Sequence, residues 1–290
     1  MDMALNLSGL FLSKFADDTK AARVVDTDNE AEELQQNLDG FSQWARDWQM
    51  CFNVDKCKVL HVGRTNPQRD YFMDGKKLLK VEEEKDLGVL VHKSLKPSAQ
   101  VAKMVKKANL VLGQLLRAFT YRDKKHFVRL YQVYVRCHLE YAIQCCSPYL
   151  QKDIDAIEDV QRRAVRQISG LKGSYEDKLA QIGLTTLVDR RARGDMIQTF
   201  KIIHQIDDVP INTFFQVAGA DHNYPTRGAV VFTEEGESAG MNLVIPKANK
   251  DVRKYFFSHR VVSSWNSLPY DVKNSESVNQ FKNAYDKHFE

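Results

Sequence analysis

The sequence predicts an α+β fold, with short strands and a single helix ahead of Pro97 and mostly helical chain after it. Two patterns carry that prediction. Ahead of Pro97, brief apolar runs are separated by turn-forming pairs such as Asp17-Asp18 and Asp74-Gly75. Beyond it, apolar residues recur at i, i+3, i+4 and i+7, the period of an amphipathic helix.

Leu10–Leu12 and Val24-Val25 read as strands joined by a tight turn at Phe15-Ala16-Asp17-Asp18. Adjacent carboxylates at such a tip repel each other unless a cation lies between them. The pair therefore points to a divalent metal held by oxygen ligands, with a solvated Asp-Asp turn as the plain alternative. Thr27 and Asp28 cap a helix that runs to about Gln49, with Leu34, Leu38, Phe41, Trp44, Ala45 and Trp48 on its apolar stripe. A strand from Cys57 to Val62 follows, with Cys57, Val59 and either Leu60 or Val62 inward. Tyr71–Lys76 reads as a hairpin around Asp74-Gly75, and another strand runs through Leu87-Gly88-Val89-Leu90-Val91.

From Ser98 a helix places Val101, Met104, Val105, Ala108, Leu112, Leu115, Leu116 and Phe119 on one face. Lys103, Lys106, Lys107, Gln114 and Arg117 occupy the rest of it. A second helix spans Asp123 to Cys145, with Phe127, Leu130, Tyr131, Tyr134 and Leu139 as its core stripe, and Ser147-Pro148 stops it. A third, from Lys152 to Ser169, buries Ile154, Ile157, Val160, Ala164, Val165 and Ile168 and displays Arg162, Arg163 and Arg166. Gly170 to Gly173 break it. Two more helices follow, the longer from Thr186 to His204 with Arg190, Arg191 and Arg193. Residues 206–250 read as a loop with a hairpin through Val230–Phe232 and Leu243–Ile245. Helices return over Val252–Trp265 and Ser277–Phe289.

The 290 residues allow one or two domains, and 43% hydrophobic content suffices for a packed core. No apolar run is long enough to span a membrane, and the first residues lack a secretory signal, so no membrane partner is expected. Five cysteines, without zinc-ribbon or zinc-knuckle spacing, fit a reducing intracellular setting and no structural zinc. The net charge of +4 conceals a division along the chain. Residues 1–60 hold 6 Lys/Arg against 11 Asp/Glu, whereas residues 91–205 hold 21 against 10. A compact basic block beside an acidic one is the distribution expected where one part grips a polyphosphate backbone. Amphipathic helices with basic solvent faces are the plain alternative.

Together these residues carry a family resemblance. Lys14-Phe15-Ala16-Asp17-Asp18-Thr19-Lys20, Trp44-x3-Trp48-Gln49-Met50 and Asn53-Val54-Asp55-Lys56-Cys57-Lys58 resemble a reverse transcriptase. More narrowly, the chain is similar to the C-terminal part of the second open reading frame of jockey-like non-LTR retrotransposons, the LINE type. Lys85-Asp86-Leu87-Gly88-Val89, Tyr131-x2-Tyr134-Val135-Arg136-x2-Leu139-Glu140-Tyr141 and Ser147-Pro148-Tyr149 extend the match. So do Val160-Gln161-Arg162-Arg163-Ala164, Gly183-Leu184-x2-Leu187-x2-Arg190-Arg191-x-Arg193-Gly194-Asp195 and Phe256-Phe257-Ser258-x-Arg260 through Leu268-Pro269.

The resemblance implies a partial palm over residues 1–92, a helical thumb over 93–172, a helical extension over 173–206 and the element's C-terminal region over 207–290. Asp17 and Asp18 would ligate catalytic Mg2+, and Lys56 would protonate departing pyrophosphate. Leu87, Gly88 and Val89 would hold the primer end. Lys103, Lys106, Lys107, Arg117, Arg162, Arg163 and Arg166 would follow nucleic-acid phosphates. The implied partners are an RNA template, a DNA primer and deoxynucleoside triphosphates, in the nucleus or a cytoplasmic ribonucleoprotein.

The family's other metal-binding aspartate, its fingers and its endonuclease lie upstream of the Asp-Asp hairpin. The expectation is therefore an N-terminally truncated fragment of an RNA-directed DNA polymerase, inactive by itself and binding Mg2+ weakly or not at all. A non-catalytic RNA/DNA-binding remnant, or a host-adopted binding module, is the alternative. A role in protein interaction through apolar surface is a third. Trp265 and Phe256-Phe257 read as packing residues.

Overall fold

Strands β1 (Phe11–Phe15) and β2 (Asp18–Ala22) pair antiparallel with Phe15 opposite Asp18, leaving Ala16 and Asp17 as a two-residue turn. Ala16 takes a φ of +52°, the left-handed conformation such a tight turn requires at its first position. This computed structural model describes residues 9–63, 65–218 and 241–289. The short loop fixes the register, so the second strand is the polar Asp18–Ala22 run, not the expected Val24-Val25. Val24 lies outside the ladder and is exposed. The described chain is mixed α+β, mostly helical with small two-stranded sheets, and divides into two compact units, Met1–Lys96 and Pro97–Glu290.

In the first unit, α1 (Asp28–Asp47) opens on a capping box. Thr27 Oγ1 accepts from the Glu30 N–H while the Glu30 carboxylate accepts from the Thr27 N–H. The helix stops at Trp48, because Gln49 turns to a φ of +54°. Trp48 is consequently exposed instead of extending the apolar stripe, whose inner members are Ala31, Phe41 and Ala45. Strand β3 (Lys58–Leu60) pairs in parallel with β6 (Leu79–Val81). Strands β4 (Phe72–Met73) and β5 (Lys76–Lys77) form the expected hairpin, Asp74 and Gly75 both having positive φ. The Gln35 side chain bonds both ways with the Phe72 backbone at 2.9 Å, docking α1 on that hairpin. Strands β7 (Glu83–Asp86) and β8 (Val89–His92) form a further hairpin. Leu87 and Gly88 are its turn, at φ of +45° and +87°, where an uninterrupted strand was expected. Phe41, Tyr71, Met73 and Leu78 are the buried centre of this unit, and Leu12, Ala21, Leu34, Leu38, Cys57 and Val59 pack on them.

The second unit starts with α2 (Ser98–Ala118). Asp123 caps α3 (Lys124–Leu130), which runs into a π-helical turn over Tyr131–Arg136 and then α4 (Cys137–Leu139). A π turn accommodates an extra residue and rotates the following side chains. Tyr131 and Val135 therefore face the core while Tyr134, expected there, is exposed. Phe119, the last expected core residue of α2, is also exposed, because the helix has already ended. Ala142 adopts a φ of +50° and breaks the expected second helix before α5 (Ile143–Cys146). Then come α6 (Gln151–Val165), α7 (Tyr175–Gln181) and α8 (Leu187–Ile203), the last capped by Thr186. Their shared interior includes a polar network. Tyr131 donates to Gln161 at 2.9 Å, Gln161 donates to Tyr175 and to the Thr185 carbonyl, and Glu158 accepts from the Leu187 N–H at 2.8 Å.

Four C-terminal helices follow among the described residues, the two longest packing on α8. They are α9 (Asp251–Lys254), α10 (Phe257–Ser267), α11 (Tyr270–Lys273) and α12 (Val278–Phe289), with a break at Tyr255-Phe256 inside the expected Val252–Trp265 helix. Trp265 and Phe281 are fully buried against Phe200, and Phe257 joins them while Phe256 stays exposed. Leu243 bridges Val217 antiparallel in place of the expected hairpin; Val230–Phe232 lie outside the described residues. A buried ion pair adds polar specificity to this packing. Arg260 grips Asp195 of α8 through Nε at 2.9 Å and Nη2 at 2.8 Å, and also donates to the Ile143 and Gln144 carbonyls of α5.

Removing one partner of a buried pair strands the other, so Asp195→Ala should lower stability by about 3–5 kcal/mol in urea unfolding. A loss within the scatter of surface substitutions would show the pair to be incidental. Thr27→Ala removes the α1 cap and should cost about 1 kcal/mol, read on the same unfolding curve.

Candidate functional site

The Asp-Asp hairpin presents two different faces. Leu12 and Ala21, directly paired, turn inward onto the first unit's core, and Lys14 Nζ lies 5.8 Å from the Trp44 ring centroid. Alternation then puts Phe11, Ser13, Phe15, Asp18 and Lys20 on the opposite face. Phe11 and Phe15 are each 64% exposed there. Asp17 sits in the turn and Asp18 opens β2, both exposed, so two carboxylates stand side by side in reach of solvent. Hard oxygen donors of this kind suit magnesium, which is commonly held by one or two carboxylates plus substrate phosphates. Among the described residues no cluster of three His, Cys, Asp or Glu is arranged to hold a metal.

Leu87, Gly88 and Val89 form the tip and first strand residue of the β7–β8 hairpin. The structure links this hairpin to the first one. Lys20 Nζ of β2 bonds Asp86 Oδ2 at 2.5 Å, one residue ahead of the Leu87-Gly88 turn. Lys20 and Asp86 lie 66 residues apart on strands of separate two-stranded sheets, so no local pattern in the sequence announces their contact. Lys56 ends a short 3-10 turn (Val54–Lys56) leading to β3 and is exposed. Among the described residues no ion pair joins it to Asp17 or Asp18.

The basic residues of the second unit separate into two sets. On α2, Lys103, Lys106, Lys107 and Arg117 are all exposed. Asn109 of the same helix accepts a hydrogen bond from Arg163 Nη1 of α6 at 3.2 Å, which brings Arg163 beside the α2 cations. Arg166, the C-cap residue just past α6, is exposed as well. Lys106, Lys107, Arg117 and Arg166 have no ion pair among the described residues, so their charge faces water uncompensated. Arg162 differs: it bonds Asp159 at 3.1 Å and lies 5.2 Å from the Tyr175 ring centroid.

The arginines of α8 belong to the second set. Arg190 pairs with Glu140, Arg193 holds Asp286 bidentately at 2.5 and 2.7 Å, and Arg191 is buried and donates to the Leu139 carbonyl. Part of the basic block is thus structural. Cys146 is packed beneath these helices, and burial pushes its thiol up to about 11, which keeps it protonated at neutral pH. No helix among the described residues is long and apolar enough to cross a membrane.

Comparison with known proteins places this geometry in context. Over 171 residues, 56% of the chain, the sequence is 28% identical to the RNA-directed DNA polymerase from mobile element jockey of Drosophila funebris, of which it covers 18%. Against the Drosophila melanogaster protein of the same description it is 24% identical over 141 residues, covering 47% of the chain and 15% of that polymerase. The chain therefore spans less than a fifth of the curated relatives it matches. No protein-family model and no solved structure matches it. The chain is distantly and partially similar to the jockey RNA-directed DNA polymerase.

Proposed function

We propose that this chain supplies the nucleic-acid grip and one carboxylate arm of the magnesium site of a jockey-like RNA-directed DNA polymerase. The observation that carries the proposal is the α2–α6 face, where Lys106, Lys107, Arg117 and Arg166 are exposed and have no ion-pair partner among the described residues. Dispersed cations on helices suit a phosphate backbone, which needs charge at many points and no base-reading code. Lys103 and Arg163 border the same face. An RNA template paired with a DNA primer is the partner this reading assigns.

Asp17 acts as the metal ligand in this reading, with Asp18 in support, and magnesium held there would stabilise charge on the phosphates of an incoming deoxynucleotide. Both aspartates come from one hairpin, whereas two-metal transfer draws carboxylates from separate strands. This reading therefore requires a second carboxylate arm from a separate strand. Lys56 is assigned proton delivery to the leaving pyrophosphate. Leu87, Gly88 and Val89 are assigned to the primer end, with the Lys20–Asp86 bond holding their hairpin beside the aspartates.

Binding of an RNA–DNA hybrid, followed across a salt series, should weaken steeply as salt rises. Each lost phosphate contact lowers the log–log slope by about 0.9, so the triple variant Lys106→Gln, Lys107→Gln, Arg117→Gln should flatten it by roughly 2–3 units. Arg162→Gln, which removes a cation already paired, should leave the slope nearly unchanged. A slope equal in the native and triple-variant proteins would falsify the grip.

Primer extension with magnesium or manganese should give no template-dependent incorporation by this polypeptide alone. Incorporation that disappears on Asp17→Ala would contradict the one-armed metal site. Binding without extension is also what a non-catalytic module gives. Adding the upstream part of a jockey RNA-directed DNA polymerase in trans separates the two, because only the polymerase reading predicts Asp17-dependent synthesis.

A further inference from the structure

The loop between α2 and α3 carries the most open aromatic ring among the described residues. Tyr121 is 80% exposed there and forms no hydrogen bond or ring contact among those residues. Phe119, two residues earlier, is 42% exposed. The backbone beneath them is nonetheless fixed. Arg122 donates from Nη2 to the Leu116 carbonyl at 2.8 Å and from Nε to the Phe119 carbonyl at 3.0 Å, closing the end of α2. The Ser169 N–H donates to the Arg122 carbonyl at 2.9 Å, which ties the loop to the chain just past α6. Asp123, at the far end of the loop, caps α3.

Cations flank the ring along the chain and across the Ser169 contact. Arg117 lies in the last turn of α2, Lys124 and Lys125 open α3, and Arg166 is the C-cap of α6. All four are exposed and have no ion pair among the described residues. The centre of a protein–protein interface is depleted of charge, and of lysine above all, so this setting does not suit a protein partner. An aromatic face beside phosphate-binding cations is the pairing that single-stranded nucleic acid uses, because every base offers a π-face and every link a phosphate. Within a duplex those faces are covered by neighbouring bases, so the ligand needs an unpaired nucleotide. Tyrosine has few rotatable bonds, and its loop is already held, so little ordering opposes the contact.

We propose that Tyr121 is a stacking platform for an unpaired nucleobase at the single-stranded edge of a bound RNA–DNA hybrid, with Arg117, Lys124, Lys125 and Arg166 on the adjoining phosphates. The inference rests on the nucleic-acid reading of the α2–α6 face and assigns that face a preference for hybrids with a single-stranded extension.

The test compares binding of the full chain, by fluorescence anisotropy, to a hybrid with flush ends and to the same hybrid carrying a short overhang. The overhang form should bind about ten-fold more tightly, within the range of a single base–aromatic stack. The fluorescent base aminopurine, placed in the overhang, should dim as it stacks. Tyr121→Phe keeps the ring and should keep both effects. Tyr121→Leu keeps apolar surface without the ring and should lose both. Lys106→Gln combined with Lys107→Gln should weaken both hybrids and leave their ratio unchanged.

Overhangs placed first in the RNA strand and then in the DNA strand identify which strand provides the base. Steeply salt-dependent binding without any overhang preference overturns the platform and leaves the α2–α6 grip standing. An overhang preference that Tyr121→Leu abolishes, with binding unaltered in the double lysine variant, keeps the platform and removes the grip. A preference equal in native protein and Tyr121→Leu shows that another residue holds the base, and it overturns the platform too. Self-association that Tyr121→Leu abolishes, with no overhang preference, assigns the ring to a protein contact instead.

Discussion

Asp195 and Arg260 organise the second unit. The guanidinium of α10 reaches the carboxylate of α8 and, from its Nη2, the Ile143 and Gln144 carbonyls of α5. Three segments widely separated in sequence thereby fix one another's register. Apolar burial of Trp265, Phe281 and Phe200 supplies most of the driving force, because it removes large non-polar surface from water. The ion pair adds direction, since the Arg260 guanidinium and the Asp195 carboxylate, both largely buried, are satisfied where these helices meet. Gly194, adjacent to Asp195, allows the close approach: a Cβ there would meet Ile143 Cδ1 at 3.0 Å. The motifs Arg193-Gly194-Asp195 and Phe257-Ser258-x-Arg260, far apart in the chain, are thus two sides of one contact.

The same demand for counter-charge sorts the basic block into structural and available cations. Arg190, Arg193 and Arg260 find carboxylates, and their side chains are largely withdrawn from water. Lys106, Lys107, Arg117 and Arg166 find none among the described residues and remain at the surface. A phosphate backbone can be reached only by the second group. In the first unit the corresponding constraint is the turn geometry, which sets Asp17 at a tip and Asp18 on an open face beside the Leu87-Gly88 hairpin.

Much of this was legible in the sequence where a local rule decides the outcome. Thr27 with Asp28 announced the start of α1, Asp74-Gly75 a hairpin turn, and the apolar period from Val101 to Leu112 the inner face of α2. The failures share a physical cause, in that something non-local or a small irregularity changed the phase. The π turn rotated Tyr134 to the surface, and the positive φ of Ala142 cut a helix in two. The two-residue turn at Ala16-Asp17 put β2 on polar residues, where alternation of apolar side chains gives no signal. The division of arginines was illegible for a different reason: Arg162 and Arg166 look alike along the chain, and only Asp159 and Tyr175 distinguish them.

The central claim, that the open cations of α2 and α6 contact nucleic-acid phosphates, is tested most directly by lysine modification footprinting. The full chain would be acylated with and without a bound RNA–DNA hybrid, and each lysine read by mass spectrometry. Lys106 and Lys107 should be protected by the hybrid, with Lys250 and Lys254 of the C-terminal region modified equally in both samples. Unchanged reactivity at Lys106 and Lys107, with protection appearing elsewhere, would contradict the account.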